Sequence, residues 1–271
     1  DRMIHVSLEY DFLIDIKALK TVIICFFEKV PVLHSSFKSS PINPYWTEND
    51  YTIEDILTVI DEPQRGFSFR YEGPLDMRMD THSPLTAARV LNTYSEPELE
   101  RIFREYGELR EARFLARAVT EERERKPFET TSQFAAVCDR VLRRGTRKGG
   151  PPAPTLCFQA LRIEVNDELG QLRRALEAAL ELLAPDGILA VISFHSLEDR
   201  IVKHFMSEMS VKCKCPPGLP VCICHWHPKL EVLTRKPITA SPEELKRNPR
   251  SACAKLRAAK RLNDENINTL S

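Results

Sequence analysis

The chain has no glycine before Gly66; all nine of its glycines lie at or beyond that position. Only glycine lets a backbone take positive φ at no cost, or come within contact distance of a ligand. Residues 1–65 therefore carry no glycine-rich nucleotide loop. Long hydrophobic runs are also missing. The longest apolar stretch, residues 21–27, stops at Glu28 and Lys29, far short of the roughly 20 residues that span a bilayer. No membrane partner is expected. A secretory leader is not expected either, because Asp1 onward lacks the order of basic start, apolar run and small-residue cleavage site. These two absences predict a cytoplasmic protein with reduced thiols. Net charge is missing too: 39 Lys and Arg balance 39 Asp and Glu. That excludes a protein that coats nucleic acid with its whole surface but leaves room for a local basic patch.

With 271 residues the chain can bury a sizeable core in one large or two modest domains. Residues 21–33 read as a buried strand or a short helix, and spacing does not separate the two. Residues 35–49, rich in Ser, Pro and Asn, read as loop. The character changes at Asp61. A turn-rich loop follows, with Gly66, Gly73 and Pro74 set among Arg65, Phe67, Phe69, Arg70, Asp76, Met77 and Arg78. Beyond it Ser95 and Glu98 have capping-box spacing. Leu99, Ile102, Phe103 and Tyr106 fall on one helical face, and Gly107 ends that helix. Further helices are expected over residues 109–125 and 132–144. Residues 143–154 are basic, then Gly- and Pro-rich, and read as a linker. A strong helix is expected from an N-cap at Asn166 to Leu183. A Pro185-Asp186-Gly187 turn follows, then an apolar strand, 188–194, of the kind a parallel sheet covers on both faces. A new helix starts at Leu197. Helix, strand and helix with short joins indicate an α/β sheet.

Ligands of such sheets sit beyond the carboxyl ends of the strands, which singles out His195 and Ser196. The pair Ser196 and Asp199 can simply cap the following helix, whereas a histidine at a strand end can donate, accept or bind a phosphate. Arg162, among apolar residues, needs a carboxylate or a ligand if buried. From Arg235 to Arg261 the chain carries nine Lys and Arg against few acids, and this local imbalance favours a polyanion. Cys213-x-Cys215 and Cys222-x-Cys224, followed by His225 and His227, hold enough thiolates for a tetrahedral zinc site. One residue inside each pair is tighter than usual, and Pro216, Pro217 and Pro220 restrict the loop, so a metal-free Cys-rich hairpin is the competing reading.

Taken together, Arg65-Gly66-Phe67-Ser68-Phe69-Arg70, Gly73-Pro74-Leu75-Asp76-Met77-Arg78-Met79-Asp80, Tyr106-Gly107-Glu108, residues 158–169, residues 191–203, the Cys-Pro-Pro segment and Asn248-Pro249-Arg250-Ser251 resemble the MraW/RsmH methyltransferase family. The resemblance runs in order from about Asp61 to Leu262. It implies a class I, Rossmann-like S-adenosylmethionine-dependent core with an inserted α-helical domain, and methylation of the N4 amine of a decoding-region cytosine in small-subunit (16S) rRNA. Small-subunit rRNA, or a 30S-like particle, is the implied partner. A cytosine amine is a weak nucleophile. It must be unstacked, aligned with the methyl donor and relieved of a proton. His195 and Asp199 are the candidate acceptors, and Asp76 and Asn166 the candidates to orient the base. Arg65, Arg78, Arg162, Arg250, Lys255 and Arg257 are the candidate RNA contacts.

The sequence departs from the family in three places. Pro152, Ala153, Pro154, Thr155 and Leu156 stand where the family has His-Pro-Ala-Thr-Arg. Ala252-Cys253 replaces an Arg-Ser. Upstream of Asp61 the family's cofactor positions fall on Thr52 and Val59. The expected arrangement is an aberrant segment over residues 1–60, a core incomplete in its N-terminal half from residues 61–79 and 155–271, and a helical insert over 80–154. Weak cofactor binding and no methyl transfer by this chain are expected, with Asp61, or Asp55, as the remaining candidate for the cofactor's ribose. An RNA-binding protein without catalysis is the alternative.

Overall fold

The computed structural model describes residues 4–5, 19–25, 63–142, 153–216 and 223–263. The chain divides into two compact units, one of residues 53–168 and one of residues 1–52 with 169–271. Residues 26–62, including Thr52, Asp55, Val59 and Asp61, lie outside the described residues, as do Cys222 and residues 143–152 of the linker expected over 143–154, whose last two residues begin a helix.

The first unit is helical. Its helices are α1 (Ala87–Thr93), α2 (Glu96–Glu105), α3 (Ala112–Arg125), α4 (Thr131–Leu142) and α5 (Ala153–Asn166). The capping box read from the sequence is present at α2, where Ser95 donates its backbone N–H to the Glu98 carboxylate at 2.7 Å. Leu99, Ile102 and Phe103 are fully buried, as their spacing requires. Helix α1 has no counterpart in the sequence reading. At 7 residues it is too short to show a period, but Thr86 caps it by accepting from Arg89 N at 3.1 Å. Residues 158–166 of the expected core segment 155–271 lie in α5, where Cys157, Phe158, Ala160, Leu161 and Val165 join the helical core. So broad a buried surface blurs the helical period in the sequence. The Phe158 ring lies 5.4 Å from Phe134 and 5.5 Å from Phe69. Leu75 and Met77 belong to the same core. Residues of the segments 63–79 and 155–166 thus share the core of this helical unit.

The second unit holds a mixed sheet. Helix α6 (Glu168–Leu182) leads into β3 (Leu183–Ser193), which is followed by α7 (Ser196–Ser210). The helix expected to start at an Asn166 cap starts two residues later. Asn166 is the last residue of α5, and Asp167 turns the chain at φ 47°, a conformation short polar residues tolerate. Strands β1 (Ile4–His5) and β2 (Leu19–Cys25) lie parallel to β3. Beyond β3 come β4 (Leu230–Val232), β5 (Ile238–Thr239), the short helix α8 (Pro242–Arg247) and β6 (Lys255–Arg261). Strand β6 runs antiparallel to β3, β4 and β5, and the order is β1-β2-β3-β6-β4.

The Pro185-Asp186-Gly187 turn sits inside β3 as an irregularity. Leu19 pairs with Leu183 and Thr21 already with Ile188, so residues 184–187 loop out. Leu189 and Val191 point into a core with Leu172, Leu176, Val202, Met206 and Ala259. The other face of β3 is less covered than the apolar run suggests, with Ile188 36% exposed.

Candidate functional site

Because β1, β2 and β3 are parallel, their carboxyl ends share one edge of the sheet, the usual place for ligands in α/β folds. Strand β3 ends there at Ser193, and His195 is the N-cap of α7. The cap differs from the expected Ser196 and Asp199 pair. Glu198, 4% exposed, accepts from Phe194 N at 2.8 Å and His195 N at 3.3 Å. In return Glu198 N donates to His195 Nδ1 at 3.4 Å. Glu198 escaped the sequence reading, although its place three residues after His195 is capping-box spacing.

This cap decides what His195 can do. An Nδ1 that accepts a backbone N–H carries no proton, so the neutral ring holds its proton on Nε2. Nε2 is buried and has no hydrogen-bond partner among the described residues. It lies 3.2 Å from Glu198 Oε1 without the alignment of a hydrogen bond. The ring therefore presents a donor at the strand end.

Asp199 is engaged elsewhere. Arg257 faces Val191 across β3 and β6, on the buried side of the sheet, and meets the carboxylate through Nε at 2.6 Å and Nη2 at 3.2 Å. Lys255 Nζ adds a contact at 3.5 Å. Burial pushes the Asp199 carboxyl up, but the Arg257 hydrogen bonds, the Arg257 charge and Lys255 outweigh it and hold the group below the usual carboxylate range. Such a carboxylate is a weak proton acceptor. The same geometry holds Arg257, an expected RNA contact, 6% exposed and paired with Asp199.

The other candidates lie in the helical unit. Arg78 grips Asp76 with Nε at 2.7 Å and Nη2 at 2.8 Å, and its Nη1 donates to the carbonyls of Thr81 and Ser83. The Arg78 hydrogen bond is the main reason the Asp76 carboxyl sits low. Arg65 donates to Arg78 O at 2.7 Å. Asn166 accepts from Met79 N at 2.7 Å and donates to Met77 O at 2.8 Å, fixing Met77 at its positive φ of 59°. Gly66, at φ 71°, lies so close to the next turn that a Cβ would stand 2.0 Å from Pro74 O. Arg162 finds the carboxylate alternative: it binds Glu168 through two nitrogens, at 2.8 and 3.1 Å. Arg65, Arg78, Arg162, Asp76 and Asn166 are thus engaged in holding the chain to itself. Arg250 lies in the turn Pro249–Cys253, and its side chain is outside the description. The exposed cations of the basic stretch are Arg235, Lys236, Lys246 and Arg247.

The residues that follow β1 and β2, where a cofactor turn lies in such a sheet, are outside the described residues. No described parallel strand is followed by a described glycine turn, and the close contacts at Gly66, Gly107 and Gly187 are with the chain itself, at Pro74 O, Phe103 O and Ala184 O. Elsewhere in the second unit, Cys213, Cys215 and Cys224 bring three sulfurs together.

The chain matches the MraW methylase family over residues 16–262, a match that begins well upstream of the motifs that start at Asp61. It is 50% identical over 203 residues to the ribosomal RNA small subunit methyltransferase H of Carboxydothermus hydrogenoformans, covering 75% of this chain and 65% of that protein. It is 52% identical over 204 residues to the protein of the same name in Heliobacterium mobile, covering 75% and 65%, and 50% identical over 202 residues to that of Symbiobacterium thermophilum, covering 74% and 64%. The chain thus spans just under two thirds of these relatives. No described helix is long and apolar enough to cross a membrane. With an α/β sheet whose strand-end histidine caps the next helix, and a family match that takes in nearly all of its length, the chain belongs to the MraW methylase family.

Proposed function

We propose that this protein takes part in S-adenosylmethionine-dependent methylation of the N4 amine of a cytosine in the decoding region of small-subunit (16S) rRNA. Its partner is then the small subunit or its rRNA, and its compartment the cytoplasm. The observation that carries the reading is the buried Nε2 of His195 at the carboxyl end of β3, without a hydrogen-bond partner among the described residues, in a chain of this family. The amine lone pair is delocalised into the ring, so most of the work lies in orienting an unstacked base. A fixed Nε2–H can hold the base through a ring acceptor, or a flanking phosphate through an oxygen. The role is a hydrogen-bond donor that positions the base. Asp199, engaged by Arg257, is not a base in this reading, and the amine proton passes to solvent. Arg235, Lys236, Lys246 and Arg247 supply the phosphate contacts.

A second reading, RNA binding without transfer, is favoured by the glycine-free residues 1–65. One pair of measurements separates the two. The protein is titrated with S-adenosylmethionine in a calorimeter and incubated with 30S subunits and methyl-labelled cofactor, and the rRNA is digested to nucleosides. Heat of binding with label in N4-methylcytidine supports transfer. Label in another nucleoside overturns the N4 assignment. Neither heat nor label, with 30S binding intact, establishes the second reading.

A further inference from the structure

After α7 the chain makes an excursion to β4 that neither hydrophobic core accounts for. Between Met209 and Leu230 no described residue belongs to either core, and Ile223 is 67% exposed. Its legs are tied by Trp226, whose Nε1 donates to Val211 O at 2.9 Å and whose ring lies 3.6 Å from Lys214 Nζ. Three sulfurs converge in this segment. Those of Cys213, Cys215 and Cys224 all lie within 4.8 Å of one another, and Cys213 and Cys224 are 3.7 Å apart.

Two features of this cluster point to a ligand. Two thiolates about 2.3 Å from a tetrahedral ion stand about 3.8 Å apart, close to the Cys213–Cys224 separation, whereas a disulfide would bring them to about 2.05 Å. Each sulfur also receives a backbone N–H: Cys215 N donates to Cys213 at 3.3 Å, Ile223 N to Cys215 at 3.3 Å and Lys214 N to Cys224 at 3.4 Å. A neutral thiol is a weak acceptor, while a thiolate accepts strongly. Donors placed on all three sulfurs suit the charged form, and three thiolates this close repel one another unless a cation lies between them. An all-sulfur set selects a soft or borderline metal over magnesium or calcium.

We propose that Cys213, Cys215 and Cys224 are three ligands of a structural zinc-class ion that closes this excursion. Solvent or one further ligand completes the tetrahedron. Binding would release the thiol protons to solvent. The test is metal analysis of the reduced protein, followed by cobalt(II) titration. The expected result is one zinc per chain and, with cobalt, a thiolate-to-metal charge-transfer band. Cys213→Ser and Cys224→Ser should weaken cobalt binding by about a hundredfold or more, whereas Cys253→Ser, outside the cluster, should leave it unchanged. Absence of zinc and of the cobalt band in the wild type would overturn the proposal. So would a Cys213–Cys224 disulfide in the protein as purified, and this wild-type readout holds even if a serine variant fails to fold.

Discussion

The 63–80 loop of the helical unit and the end of β3 in the sheet unit use similar residues to different ends. In the loop, Arg65, Asp76 and Arg78, with Asn166 from α5, bind one another or nearby carbonyls, and Gly66 is pressed against Pro74. Around β3, Asp199 is held by Arg257 and Glu198 by two backbone N–H groups, yet Nε2 of His195 has no hydrogen bond among the described residues. The contrast separates side chains whose described partners are within the chain from one whose buried donor has no described hydrogen-bond partner. Resemblance alone puts all of them in one class; hydrogen-bond accounting divides them.

The comparison is most exposed at its two buried arginines. Arg162→Ala and Arg257→Ala each remove a two-nitrogen grip from a largely buried carboxylate, and urea unfolding should show losses of about 3–5 kcal/mol in both cases. A loss below about 1 kcal/mol at either would mean that the pair in that unit is incidental. Gly66→Ala forces a Cβ into a left-handed turn against the Pro74 carbonyl and should cost about 2–4 kcal/mol by the same measurement. A neutral result would show that the loop is not closed on itself.

Acid sharpens the contrast. The carboxyls of Asp76 and Asp199 sit below their ordinary value in the folded protein. Their stabilisation is fully present above the unfolded carboxyl pKa of about 3.9 and is lost as pH falls through the lower folded values. Urea midpoints measured down the acid limb should fall there. In Arg257→Met only Lys255 still lowers the Asp199 carboxyl against its burial, so the acid-side loss should shrink. The smallest effect expected is at the cap of α1, where Thr86→Ala should cost about 1 kcal/mol, seen as a shift in the urea midpoint. For the exposed cations, Lys246→Ala with Arg247→Ala should lower the salt dependence of rRNA binding by about 0.7 per lost phosphate contact; an unchanged slope would place the RNA elsewhere.

Much of this was legible in the residues. The face formed by Leu99, Ile102 and Phe103, the Ser95 and Glu98 box and the apolar run from Ile188 announced α2 and β3, because one buried side against one wet side leaves a period. Helix α5 did not, because it buries too much of its surface. The antiparallel β6 was hidden under its charge: read as a basic stretch, it contains Arg257 and Ala259, buried on the core side of the sheet. His195 was visible as a strand-end residue, but its tautomer was not, since that depends on Glu198 folding back to cap it. The partners of Arg162, Arg78 and Arg257 were likewise undetermined, because an arginine among apolar residues reads the same whether it meets a carboxylate or a phosphate.

The most direct test of the account is single-turnover transfer of a labelled methyl group from S-adenosylmethionine to 30S subunits, comparing the protein with His195→Ala after 30S binding by both has been matched. Against the expectation of no transfer drawn from the glycine-free residues 1–65, the account predicts N4-methylcytidine from the unaltered protein and a rate about a hundredfold lower from the variant, the scale expected when one positioned donor is removed. Equal rates from the two proteins, or no transfer from the unaltered protein while it binds 30S subunits, would contradict it.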